Sequence, residues 1–137
     1  MIRRPIDLAR SRHRGRGQVG SATLELAVVF PAVMALVFLT VQGGIYFHAR
    51  TLALTAAQEG LRAVSTLTGD TGEGTTKATS FLDRTADGWV VDRDVAAERS
   101  ATTATVTVTG RSISLIPGLS GLPIRQQATG PVERPTG

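Results

Sequence analysis

The sequence predicts an α+β fold. A long N-terminal helix forms a transmembrane stem that continues into a stalk, and a short helix and a small antiparallel β-sheet follow it. Three observations predict it: an apolar run long enough to cross a bilayer, a stripe of small residues at helical spacing just after it, and alternating Val and Thr near the C-terminus. A chain of 137 residues leaves room for one small domain beyond such a stem.

Within residues 24–47 the only charge is Glu25, and residues 26–41, LAVVFPAVMALVFLTV, are apolar apart from Thr40. A hydrocarbon core about 30 Å thick takes roughly 20 helical residues, so 24–46 suffices to span it. Pro31 removes one backbone donor, which membrane helices tolerate, and Gly43-Gly44 marks a second soft point. Six of the fifteen basic residues (Arg3, Arg4, Arg10, Arg12, Arg14 and Arg16) lie in the first twenty positions, opposed only by Asp7; the remainder holds nine basic and ten acidic side chains. The net charge of +4 thus belongs to a short arm, with no aromatic platform or recognition motif that would make it a nucleic-acid contact. Beside an apolar span the same arginines put the N-terminus in the cytoplasm and the C-terminal region outside, since only Arg50 and Arg62 follow closely on the other side. A cleaved secretory signal fits less well. The run exceeds the roughly 7–15 residues of a signal h-region, and the small-residue cluster LTAAQEG comes too late for a cleavage site. The Arg3-Arg4 pair, followed by Pro5 and Asp7, lies far from the apolar core.

One carboxylate at the entrance to this run is costly and calls for a reason. A basic leader ends at Gly20, Ser21 follows, and Glu25 is the fifth residue after the glycine, the arrangement GxxxxE. This resembles the processing site of type IV prepilins and pseudopilins, in which a membrane-embedded prepilin peptidase cuts after the glycine on the cytoplasmic side. The longer stretch RGQVGSATLELAVVFPAVMALVFLTVQGGIYFHARTLALTAAQEGLRAV, followed by VTVTGRSISLIPGL and ATGPVE, resembles the TadE-like family of small pilin-like proteins in tight-adherence (Flp) pilus machinery. The resemblance implies a pilin-like fold and a minor pilin or assembly factor of the cytoplasmic membrane rather than an enzyme. Its partners would be the lipid bilayer, the prepilin peptidase, and other pilins and pilus-assembly proteins. It implies cleavage between Gly20 and Ser21 and a charge-pairing role in assembly for Glu25.

After the membrane run, Ala49, Ala53, Ala56, Gly60 and Ala63 are spaced four, three, four and three apart, one stripe on a helix. Small side chains let another backbone approach, either a partner's or that of the chain's own sheet. Glu59 and Arg62 are spaced to pair. Helix over 23–67 would run about 65 Å at 1.5 Å per residue. TGDTGEGTT, residues 68–76, reads as a glycine-rich surface loop, and KATSFLDRTADG as a short helix with Phe81 and Leu82 inward. WVVDRDV sets Trp89, Val91 and Val95 against Asp92 and Asp94, and TTATVTVTG sets Ala104, Val106 and Val108 against Thr103, Thr105, Thr107 and Thr109. Joined by about five residues, these two runs make a hairpin that buries Trp89. PIRQQAT adds an edge strand, where Pro123 is tolerated. The resulting division is a cytoplasmic leader over 1–20, a transmembrane helix over 21–47, its extracytoplasmic continuation over 48–68, an α+β region over 69–130 and a flexible tail over 131–137.

Chemistry has little to work with. There are no cysteines, hence no disulfide or thiolate metal site. His13 sits in the leader and His48 at the membrane exit, an interfacial position. Asp70 with Glu73, and Asp92 with Asp94, offer fewer oxygen ligands than a calcium loop needs. No nucleophile, base and orienting acid assemble, so the expectation is no enzyme, no cofactor and no metal. The other reading of the same features is an uncleaved single-pass membrane protein whose small outer domain binds an envelope partner.

Overall fold

A computed structural model of the chain describes residues 16–136, with side chains from Gly20 onward. The basic leader up to residue 15, His13 included, lies outside the described residues. Helix α1, Arg16–Ser65, is followed by α2, Thr71–Thr85, and by strands β1, Val90–Arg99, β2, Thr103–Ser112, and β3, Pro123–Pro131. This is the predicted α+β order. The chain divides into two compact units, Met1–Phe38 and Leu39–Gly137.

In the first unit the described residues are helical throughout, and Pro31 is accommodated inside α1. Among the described residues its apolar side chains are little covered: Leu24, Leu26 and Val28 are each about two-thirds exposed, at 70%, 66% and 69%. A helix that is apolar all round and uncovered belongs in lipid or among other apolar helices. By length and composition this helix can cross a membrane.

The second unit is built on a three-stranded antiparallel sheet in the order β1-β2-β3. Ala104, Val106, Val108 and Ser112 of β2 point inward and are buried, as are Ile124 and Ala128 of β3. Threonines occupy the outer face, where Thr105 and Thr129 hydrogen-bond across the β2–β3 pair at 3.0 Å. Against the inner face lie Ala49, Ala53, Ala56, Ala57 and Val64 of α1, and Ala78 and Leu82 of α2. The helices approach most closely at two glycines. A Cβ on Gly60 would lie 2.8 Å from the Gly74 carbonyl oxygen, and one on Gly74 would lie 2.0 Å from Val64 Cγ2.

That crossing corrects the predicted loop over 68–76. Helix α2 already starts at Thr71, and Gly72 and Gly74 lie within it. Asp70 is its N-cap, its Oδ1 accepting the Glu73 N–H at 2.7 Å, and Glu73 adds a negative charge to the first turn. The glycine that reads as a breaker is the residue that lets α2 touch α1.

Strand β1 corrects a second expectation. Its register on β2 slips between Val91 and Asp94, where Asp92 takes φ 52°. A β-bulge puts one extra residue into one strand and reverses the alternation beyond it, and aspartate is among the few non-glycine residues that enter the left-handed region readily. Val90 is therefore the buried residue, while Trp89 and Val91 stay 38% and 39% exposed. Past the bulge, Arg93, Val95, Ala97 and Arg99 turn inward. Arg99 closes the end of α1, its guanidinium donating to the carbonyls of Val64, Thr66 and Gly69. Only Ser100, Ala101 and Thr102 join β1 to β2.

The chain stays attached beyond β3. Val132 is buried and donates to Thr102 O at 3.0 Å, and Glu133 donates to Ser65 O at 2.9 Å. Both backbones are hydrogen-bonded and Val132 is packed where the sequence reads as a loose tail.

Candidate processing and assembly site

Gly20, Ser21 and Glu25 all lie on α1 in the first unit. Nothing stands within 4 Å of where a Gly20 Cβ would be, and all three residues are exposed. Glu25 lies four positions after Ser21, one turn along the same helix face. An ammonium at Ser21 would be a near neighbour of the Glu25 carboxylate. Leu24 and Leu26 flank Glu25 and are about two-thirds exposed, and the carboxylate is the one charge on the helix between Gly20 and Phe47. The Gly20–Ser21 bond is helical, because α1 begins at Arg16. A glycine at this position lowers the cost of unwinding the helix there.

The small-residue stripe lies in the second unit. Ala49, Ala53 and Ala56 have no exposed surface, Gly60 is buried at the α2 crossing, and Ala63 is half-buried beside the fully buried Val64. Of the two covers the spacing allows, the chain supplies its own α2 and sheet. Glu59 and Arg62 form the expected pair at 3.0 Å on the exposed side, worth a few tenths of a kcal/mol.

The remaining polar candidates have structural work. His48 is exposed on α1 and meets Trp89 edge-on, with ring centroids 4.7 Å apart at 73°. Asp70 caps α2 and Asp92 sits in the bulge. Among the described residues no three His, Cys, Asp or Glu come together as metal ligands.

One contact escapes sequence reasoning altogether. Gln42 Nε2 donates to Ile113 O at 2.9 Å, and its Oε1 accepts the Leu115 N–H at 3.0 Å, so one side chain holds the β2–β3 loop to α1 from 71 residues away. A lone glutamine at the end of an apolar run is the only hint in the sequence.

Residues 20–62 match the family model described as TadE-like protein. No curated protein matches the chain, and no solved structure does. The matched segment opens at Gly20 and includes Ser21, Glu25, the whole apolar run and the stripe as far as Gly60.

Proposed function

We propose that the chain, whose residues 20–62 match the TadE-like family model, is a minor pilin or pseudopilin acting in assembly of a tight-adherence (Flp) type IV pilus. It is held in the cytoplasmic membrane by α1, N-terminus in and C-terminal unit out, and is processed by prepilin peptidase between Gly20 and Ser21. The observation that carries this reading is the exposed Glu25, the one charge between Gly20 and Phe47 of α1, one turn after Ser21. Cleavage creates an ammonium on Ser21. Glu25 then neutralises it, within one chain or across to a neighbouring subunit staggered along the fibre, and the cost of a carboxylate near hydrocarbon falls. The exposed apolar surface from Leu24 to Phe38 exchanges lipid for the stems of other pilins, with van der Waals packing as the driving force. The role is structural.

Glu25→Leu tests it. The variant inserts, and it is cut if the peptidase reads mainly Gly20, yet it co-purifies poorly with the pilus machinery. Normal piliation together with normal partner recovery would remove the role given to this carboxylate.

A second reading is favoured by the helical state of Gly20, which offers a peptidase no extended segment without unwinding. In it the chain keeps its leader, anchors permanently, and binds an envelope partner through its outer unit. Under this reading Glu25→Leu is harmless.

A further inference from the structure

The loop between β2 and β3, residues 113–122, presents Leu115, Ile116, Leu119 and Leu122 to solvent at 42%, 49%, 61% and 53% exposure. Four apolar side chains uncovered on one short loop call for a partner. The loop is also well fixed. At its tip Ile116-Pro117-Gly118-Leu119 is a tight turn, with Gly118 at φ 80° and the Leu119 N–H donating to Ile116 O at 3.2 Å. Proline and a positive-φ glycine at the two central positions are what a type II turn requires. At its base the buried Ser112 accepts the Leu122 N–H on Oγ at 3.2 Å and donates its own N–H to Leu122 O at 3.0 Å. On its flank it is tied to Gln42, the residue that follows Val41 at the end of the apolar run.

We propose that this loop is a second membrane-contacting element. It seats its turn tip in the head-group boundary of the bilayer that α1 crosses, and prefers anionic phospholipid. The inference rests on the reading that α1 spans the membrane. Leu39 and Val41, themselves 69% and 46% exposed, belong to the same compact unit as the loop, and the two hydrogen bonds from Gln42 set the loop at the level where the densest apolar run, residues 26–41, ends. Charge agrees with the assignment: Arg111 and Arg125 are both exposed on the outer face of adjacent strands at this end of the sheet, and basic residues beside an interfacial apolar element draw it to anionic lipid. Arg111 also braces the loop, donating to Gly121 O at 3.3 Å.

The chain has no cysteine, so a single introduced one carries a polarity-sensitive fluorophore at a unique place. Full-length protein with Leu119→Cys is labelled and reconstituted in vesicles of phosphatidylethanolamine and phosphatidylglycerol, with or without bromine on the acyl chains. Ile116→Cys guards against a local disturbance at one site, Val37→Cys reports the span, and Ala101→Cys reports the β1–β2 turn at the far end of the sheet. The expected result is a blue-shifted emission from positions 116 and 119 that loses most of its intensity to brominated lipid, as position 37 does and position 101 does not. Quenching at 37 with water-like emission at 116 and 119 overturns the loop inference and leaves the span standing. No quenching at 37 removes the span and the inference with it. Blue-shifted but unquenched emission at 116 and 119 means that protein, a second copy or another subunit, covers the loop, and overturns the lipid assignment.

Discussion

At the scale of the residue, glycines separate by what their missing Cβ would meet. Gly74 faces Val64 Cγ2 at 2.0 Å, whereas Gly44 on α1 has nothing within 4 Å. Alanine raises helix propensity at either site by about 1 kcal/mol. At Gly74 the overpacking penalty of about 1–3 kcal/mol outweighs that gain; at Gly44 nothing opposes it. Denaturant unfolding of the full chain in detergent is therefore expected to show Gly74→Ala destabilised and Gly44→Ala unchanged or slightly stabilised. The reverse order would mean that the helix crossing lies elsewhere. Glu25 is legible from sequence for the opposite reason: a charge in a run of oil stands out however the chain folds.

At the scale of the element, what reads correctly is what depends only on local period. The Val/Thr alternation of β2 gives its inward face without error, because nothing interrupts it between Thr103 and Ser112. The spacing of Ala49, Ala53, Ala56 and Gly60 finds the buried face of α1 for the same reason. Strand β1 is misread because the bulge at Asp92 reverses parity, and a left-handed aspartate leaves no mark on the pattern. The start of α2 is misread because Gly74 is selected by Val64, ten positions earlier in the chain and on another helix. Correcting β1 moves its core residue from Trp89 to Val90. Val90 is 2% exposed, and Val90→Ala costs about 2–3 kcal/mol in lost burial and cavity. If the same unfolding measurement finds Val90→Ala without effect, the bulged register is wrong.

At the scale of the whole molecule, two units have different solvents. The second unit carries a core rich in alanine and valine that it fills from its own helices and sheet, which answers internally the small-residue stripe. The apolar helix surface before Phe38 stays largely exposed among the described residues. The sequence shows the need for lipid plainly through length and composition, while the β2–β3 loop and its tie to Gln42 arise from tertiary contact and have no periodicity to announce them. With the arginine excess all before Leu24, a reporter fused after Gly137 is expected to be active only outside the cytoplasmic membrane. Activity in the cytoplasm would reverse the topology.

The central claim is that Gly20 ends a leader and Ser21 begins the working protein, with its new ammonium one turn from Glu25. Intact mass of the protein purified from its native membrane tests this most directly. The account predicts a mass corresponding to residues 21–137. It also predicts full-length protein from Gly20→Leu, at a position where an added Cβ meets nothing within 4 Å. Native protein that retains residues 1–20 would contradict it.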